Sequence, residues 1–482
     1  MLVGVDAGTS VTKAAAFDQD GTLLGLATSP TVLRNPRPGW FEHDVEDVLD
    51  SVSSAIRTLV ARVGREPSAI GLTGQGDGLW LLDEHGRGTF PAISWMDARA
   101  TGILQRWIAD GRIETAFRRT GNMMFAGCPG PLLAWMDEHE PRVLNRSATA
   151  GSCKDVVFQR LTGVRATDAS DASLPFLDQY TTAGQPRGYA EDVLALCDLG
   201  HRAGLLAPVL EPNPTGELTP IAADRLGVAA GTPVSSGPFD LVASAYGSGL
   251  TRPGDGHLTV GTTLACQVLV DRLDTTGEPA GLTLATGVSW RWLRAMPAMV
   301  GTAALDWVLT LVGKTHQNLD DLLAGSSPGA NGVRCLPYFS PAGERAPFVE
   351  PAARAGFDGL SLHSTPADVV RAGCEAIAFA ARHCFEAAGL TGEIAACGGG
   401  VRSKAWVQVF ADVLGVPIRL SPIPEIGAYG AARTAAHAFG FDTSAWSTAS
   451  RVVEPTEVER YAEGYQDYLA SVAVARERWR NR

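Results

Sequence analysis

Lysine is scarce in this 482-residue chain: of its 40 basic residues only Lys13, Lys154, Lys314 and Lys404 are lysines. Basic charge as a whole is outnumbered by 52 acidic residues, for a formal net charge of −12. The basic stripe that a nucleic-acid surface requires is therefore missing, which excludes nucleic acid as a partner. Cysteine is sparse as well. The eight cysteines, at 128, 153, 197, 266, 335, 374, 384 and 397, contain no C-x-x-C pair, and several sit inside apolar runs. That pattern points to buried free thiols in a reducing compartment and argues against a structural zinc. No uncharged stretch approaches membrane-spanning length, and no basic segment followed by an apolar core opens the chain, so no membrane partner and a cytoplasmic location are expected. Finally, G-x-x-x-x-G-K-[ST] occurs nowhere, which removes the commonest ATP-binding loop.

What is present begins with length and 45% hydrophobic content, enough for large cores and about two to four domains. A phosphate-cradling hairpin occurs twice, at Val5-Asp6-Ala7-Gly8-Thr9-Ser10 and at Val260-Gly261-Thr262-Thr263. In each, an apolar run reaches a Gly-Thr turn and a second apolar run follows, so backbone N–H groups and hydroxyls can approach an anion. Either copy alone reads more readily as an ordinary hairpin; the pair reverses that preference and suggests two related domains facing one nucleotide. Asp6 is placed to hold a phosphate-bound Mg²⁺, and Gly261, read as its counterpart, is not, which suits one active site between unequal halves.

Elsewhere strands and helices alternate. The start reads as a meander (Leu2–Asp6, Thr12–Asp18, Thr22–Ser29), and apolar residues at helical spacing predict a helix from Val45 to Val63, followed by a buried strand at 70–73. The second half repeats the plan, with helices near 303–312, 366–388, 403–414 and 427–439 and strands at 393–397 and 417–420. The stretch 168–187, rich in Ser, Asp, Pro and Gly, reads as loop, and a boundary between halves is expected between Gly247 and Gly256.

Several short motifs follow one another in order: Asp6-x-Gly8-Thr9-Ser10-x-x-Lys13, Pro38-Gly39-Trp40-x-Glu42-x-Asp44, Thr73-Gly74-Gln75-Gly76-Asp77-Gly78, Trp95-x-Asp97-x-Arg99, Leu161-Thr162-Gly163, Gly237-x-x-Asp240, Gly261-Thr262, Gly343-Glu344-Arg345-x-Pro347, Gly398-Gly399-Gly400 and Gly427-Ala428-x-Gly430-Ala431-Ala432. Together, over nearly the whole chain, they resemble the FGGY carbohydrate kinases. The resemblance implies an α/β fold of two ribonuclease-H-like (actin-like ATPase) domains with a cleft between them, here 1–248 and 249–482. Gly74-Gln75-Gly76-Asp77-Gly78, Trp95-Met96-Asp97-Ala98-Arg99-Ala100 and Cys153-Lys154-Asp155 look most like the erythritol kinase branch, then xylulokinases and L-xylulose kinases. Leu132 and Gly373-Cys374 depart from the two family signatures. Leu241 and Asp77 depart from the xylulokinase pattern, where Asn and His are usual, and make xylulose a less favoured substrate.

The resemblance further implies ATP and Mg²⁺ as cofactors and a small polyol or ketose as acceptor, and leaves a homodimer open. Asp240 would be the catalytic base, with helix capping as its alternative reading, and would share the metal with Asp6. Gly8, Thr9, Ser10 and Lys13 would form the first phosphate loop and Gly261, Thr262 and Thr263 the second, while Gly398, Gly399 and Gly400 would lie against adenosine. Lys13 reads equally as a solvated strand residue. Gln75, Gly76, Asp77, Trp95, Arg99 and Asp240 would contact the sugar, since hydroxyls need partners that both donate and accept and an indole face covers C–H surface. Arg99 reads alternatively as a salt-bridge partner of Asp97, Trp40 as packing, and Arg345 as a structural residue outside the site. A sugar sensor on an inactive kinase fold is disfavoured because Asp6 and Asp240 are both present; an actin-like ATPase without a sugar acceptor is the remaining alternative.

Overall fold

The computed structural model describes residues 1–180, 187–287, 291–446 and 451–480. Its first sheet comprises β1 (Leu2–Ala7), β2 (Val11–Phe17), β3 (Leu23–Pro30), β4 (Ala69–Gly74), β5 (Thr215–Glu217) and β6 (Pro233–Ser236), in the order β3-β2-β1-β4-β6-β5. The second comprises β7 (Gly256–Val260), β8 (Leu264–Val270), β9 (Leu282–Ala285), β10 (Trp292–Ala298), β11 (Ile394–Cys397), β12 (Ile418–Leu420) and β13 (Arg451–Val453), in the order β9-β10-β8-β7-β11-β12-β13. Each sheet is begun by a hairpin whose first strand also pairs in parallel with a later strand: β1 with β4 and β7 with β11. The two hairpins read from the sequence are thus the same element of two similar sheets.

This register corrects one expectation. Asp6 lies two residues before Gly8 and pairs with Thr73 of β4. The residue two before Gly261, which pairs with Cys397 of β11, is Thr259. Thr259, not Gly261, is therefore the counterpart of Asp6, because Gly261 aligns with Gly8 when the two strands are matched by their pairing.

Helix α1 (Val45–Val63) covers one face of the first sheet. Asp44 caps it by accepting the Glu46 N–H, and Gly64 ends it in the left-handed conformation with φ 69°. Its apolar stripe of Val48, Leu49, Val52, Ile56 and Leu59 packs on Val3, Val5, Ala14 and Ala16. Helix α2 (Asp240–Gly247) leads out of β6 toward the second half. There α3 (Pro366–Ala388), opened by a Thr365/Asp368 capping box, and α4 (Lys404–Leu414), capped by Ser403, bury Ile377, Phe385, Trp406 and Phe410 against Leu258, Val260 and Val268. The terminal helix α6 (Val458–Arg480) adds Tyr465, Tyr468 and Trp479 to that core.

Helix α5 (Ile426–Ala438), from the second half, lies on the free face of the first sheet. Ile426, Tyr429 and Ala432 pack with Leu2, Phe17, Ala69 and Trp446. The approach is close because glycines face it. A Cβ on Gly4 would stand 1.7 Å from the Ala428 carbonyl oxygen, and one on Gly71 would stand 2.0 Å from that of Ala431.

The residues between β4 and β5 form a separate cluster around Leu79, Ile93, Trp107 and Leu133. Within it, 168–187 is not all loop. Asp168 accepts the N–H groups of Ser170 and Asp171 and starts a one-turn helix, Ala169–Ala172; residues 181–186 lie outside the described residues.

Candidate active site

The hairpin turn after β1 and the segment after β4 bring the first group together. The Trp95 indole N–H donates to Thr9 Oγ1 at 2.9 Å, and the Thr9 hydroxyl donates to Gln75 Oε1 at 2.9 Å. Gln75 Nε2 lies 3.4 Å from His43 Nε2, and the His43 ring stacks on Trp80. His43 went unnoticed in the sequence because it occupies a variable position of the Pro38–Asp44 motif, in a two-residue strand, Glu42–His43.

Asp77 follows in a tight turn. Its φ of 53° is left-handed, a conformation that costs an L-residue about 1–2 kcal/mol, and Gly78 continues the turn with φ 71°. The carboxyl is buried, Oδ1 has no hydrogen-bond partner, and burial pushes its pKa up to about 7 against the Cys128 hydrogen bond and the Arg345 charge. Gly76, expected at the sugar, also lies against Phe239: a Cβ there would stand 2.1 Å from the Phe239 ring.

Arg99 is a second correction. Its side chain has no exposed surface; it pairs with Asp97 at 2.9 Å and Glu42 at 2.7 Å and lies over the rings of Trp40 at 4.0 Å and Trp135 at 5.3 Å. Two carboxylates and two indoles surround the guanidinium, only its buried Nη1 being left without a hydrogen-bond partner, so it holds the wall of the site together. Trp40 belongs to the same packing.

Asp240 opens α2. No side-chain cap bond is made at Phe239, and Asp240 Oδ1 has no partner. Burial and then the charges of Asp6 and Asp171 push its pKa well above the carboxylate range. Asp6, near the end of β1, is raised to about 6 by burial and Glu425, against Lys13. The charges of Asp6 and Asp77 both act on Asp240, and a Cβ on Gly427 would stand 3.0 Å from Asp6 Oδ2 and 3.5 Å from Ser244 Oγ of α2, so Asp6 and Asp77 neighbour the helix that carries Asp240.

The loop that presents Asp240 is clamped. Gly237 N–H donates to Leu72 O at 2.7 Å, Thr73 Oγ1 donates to Pro238 O at 2.6 Å, and Phe239 N–H donates to Ser170 Oγ at 2.8 Å. Ser170 in turn donates to Asp168 at 2.6 Å. Asp155, Asp168 and Asp171 lie close enough to hold a cation, and a resident one fills their centre: the wholly buried Lys154 ammonium stands 2.7, 2.8 and 2.9 Å from them. Burial outweighs Lys154 and raises the Asp171 carboxyl. This cluster carried one sequence signal, a rare lysine next to an apolar helix face.

Lys13 pairs across the hairpin with Asp6 and forms an ion pair with Glu425, at the start of α5, at 2.8 Å. Burial opposes its charge, but Glu425 and Asp6 outweigh burial and raise its pKa. It thus ties the first turn to the second half and is no free strand lysine.

The second turn, 261–263, lies beside the glycine segment. Gly398 has φ 103°, and a Cβ on it would stand 2.5 Å from Val260 O; one on Gly400 would stand 2.3 Å from Val260 Cγ1. Gly399 faces open space. A cleft of about 440 Å³ adjoins it, lined by Thr302, His316, Gln317, Asp320, Gly400 and Ser403 among others. It is large enough for a planar base and ribose, with hydroxyl and amide partners at its rim. Asp6 and Asp240, two buried hard-oxygen donors of which the first raises the second and the second leaves Oδ1 orphaned, fit a divalent cation such as Mg²⁺.

The chain matches the family model described as the FGGY family of carbohydrate kinases, N-terminal domain, over residues 1–247, and the model of that family's C-terminal domain over residues 260–439. Similar proteins include an erythritol kinase of Brucella abortus (strain 2308), 33% identical over 463 residues, covering 91% of this chain and 88% of that protein. A xylulose kinase of Escherichia coli (strain K12) is 29% identical over 445 residues, covering 90% and 89%. Among solved structures, a kinase from Brucella ovis described as a xyloylose kinase superposes with a TM-score of 0.88 at 30% identity, covering 98% of this chain and 99% of that one. Among the described residues no helix is long and apolar enough to cross a membrane.

Proposed function

The chain belongs to the FGGY family of carbohydrate kinases, and on that premise we propose that it transfers the terminal phosphoryl group of ATP to a hydroxyl of a small neutral polyol, erythritol-like first and a pentulose second. The observation that carries this reading is the grouping of Asp6, Asp240, Asp77 and the Gln75–Thr9–Trp95 chain at the ends of β1 and β4. Asp240 orients the acceptor hydroxyl and takes its proton as the new O–P bond forms and the bond to the ADP oxygen breaks. The clamped loop fixes that carboxyl, so that its position contributes more than its basicity. Backbone N–H and hydroxyl groups of the 8–10 and 261–263 turns would meet the phosphates, and Gly398 to Gly400, bare of side chains, would admit the nucleoside. Asp6 and Asp240 would hold Mg²⁺, which when bound screens charge on the phosphoryl oxygens. Thr9, Gln75, Asp77 and Trp95 would orient the polyol, with enclosure between the halves keeping water from the phosphoryl group.

The test is a coupled ADP-release assay against tetritols, pentitols, pentuloses and hexuloses, with a thermal-shift screen of the same panel. Polyol-dependent turnover is expected, and Asp240→Asn should abolish it while leaving the polyol-induced thermal shift largely intact. Turnover indifferent to every polyol would favour the ATPase alternative, and near-normal turnover in Asp240→Asn would remove Asp240 from its role.

A further inference from the structure

Asp77 belongs to the first half and Arg345 to the second, and each is incompletely partnered. The Arg345 guanidinium lies 5.9 Å from the Trp95 ring centre and 5.2 Å from that of Phe125. Its Nε donates to Pro297 O at 2.8 Å. It forms no ion pair among the described residues, although its charge acts on Asp77. The backbone around it is held from below: the buried Glu344 carboxylate accepts the N–H groups of Met299, Arg345 and Ala346 at 2.8, 2.8 and 3.2 Å. In the first half, Asp77 Oδ1 is buried without a partner. A cation and a carboxylate of opposite halves are therefore neighbours beside Trp95, Arg345 at its ring and the Asp77–Gly78 turn at its backbone, where a Cβ on Gly78 would stand 3.3 Å from Trp95 N, and they form no ion pair among the described residues.

We propose that the gap between Asp77 and Arg345 receives a hydroxyl of the acceptor at the end distal to the phosphorylated one, which donates to Asp77 and accepts from Arg345. This rests on the polyol-kinase reading and narrows it. A hydroxyl can donate and accept at once, which the pair requires, whereas a carbonyl offers no proton to Asp77 and a carboxylate is repelled by it. The acceptor class is accordingly a short neutral polyol with a free distal hydroxyl, not an aldonate. Because the two partners come from different halves, the bridging hydroxyl also joins them, so the second half contributes to acceptor recognition as well as to the nucleotide.

The experiment compares the parent protein with Arg345→Met and Arg345→Lys, using the best polyol of the panel and its analogue deoxygenated at the distal carbon. Loss of a charge-assisted hydrogen bond should raise the polyol KM of Arg345→Met by about 10- to 100-fold, with the KM for ATP unchanged and Arg345→Lys partly restored. The deoxy analogue should be as poor a substrate for the parent as the full polyol is for Arg345→Met, and the variant should lose little more on it. An unchanged polyol KM, a KM for ATP that rises equally, or additive losses from variant and analogue would each overturn the proposal. Asp77→Asn, read in the same way, replaces Arg345→Met should that variant not fold. A parent that turns over no polyol sinks the polyol-kinase reading and this one together; a parent that turns over polyol with an unaffected variant sinks only the Arg345 assignment.

Discussion

Replacing Gly430 by alanine tests how closely the base-bearing helix must sit. A Cβ at 430 would stand 1.9 Å from the Ala243 carbonyl oxygen and 3.2 Å from the Gly247 N–H nitrogen. The obstacle is helix backbone, not a flexible side-chain end, so α2 and α5 must separate by roughly 1 Å to restore an ordinary contact. α5 is also pressed onto the first sheet at Gly4 and Gly71, so most of the displacement falls on α2 and on Asp240 in its first turn. Forcing a methyl into a packed interface costs about 1–3 kcal/mol, and a misplacement of about 1 Å at a reacting group costs on the order of 100-fold in rate. Gly430→Ala should therefore lower kcat about 100-fold, far beyond its loss of thermal stability, while nucleotide binding followed by thermal shift persists. A variant with parental kcat and melting temperature would refute the view that glycine contact at this crossing sets the position of the base.

Three further outcomes are expected. Ser170→Ala removes the hydroxyl that accepts the Phe239 N–H, and a drop in kcat of about tenfold at unchanged KM is expected from steady-state kinetics; unchanged kcat would deny the clamp a role. Arg99→Met strands Asp97 and Glu42, and urea unfolding should show a loss of about 3–5 kcal/mol, with the folded fraction keeping its polyol KM; a selective rise in KM would return Arg99 to the substrate. Burial holds the Asp77 and Glu344 carboxyls at about 7 in the folded protein, above their ordinary 3.8 and 4.5. Their contribution to stability is full below the unfolded pKa values and is lost as pH rises through about 7. His257, held down to about 4 by burial, acts oppositely below its ordinary 6.5. The melting temperature of the ligand-free protein should thus fall between about pH 6.5 and pH 8, and Glu344→Gln should flatten that fall. A melting temperature that climbs over this range would contradict the assigned direction.

Much of the fold was legible because its signals are local. The α1 stripe, the capping residues Asp44, Thr365 and Ser403, and the terminating Gly64 and Gly389 act over single turns, and the helix expected at 366–388 is the one observed. The site was legible in part. Thr9, Gln75 and Trp95 come together as their order after successive strands implies, whereas Arg99 looked like a hydroxyl partner because a charged motif does not disclose whether its charge is already neutralised. Ser170 lies in no motif, and the motifs that contain Lys154, His43 and Arg345 do not disclose their partners; the positions of Lys154, Ser170, His43 and Arg345 depend on contacts across 82, 69, 32 and 48 residues respectively.

By itself the sequence determined the two strand–turn–strand hairpins, the helices through apolar residues at helical spacing, the absence of a Walker loop and of a basic stripe, and a family membership written in spaced motifs. All of these follow from the chemistry of neighbouring residues. Only the tertiary structure decided that Thr259 matches Asp6, that Arg99 is a buttress, that a lysine fills the acidic cluster behind the base, and that Arg345 lies at the Trp95 ring where its charge acts on Asp77. Burial, charge compensation and unfilled hydrogen bonds belong to the packed arrangement, and no stretch of chain holds them until the two sheets and the helix between them have come together.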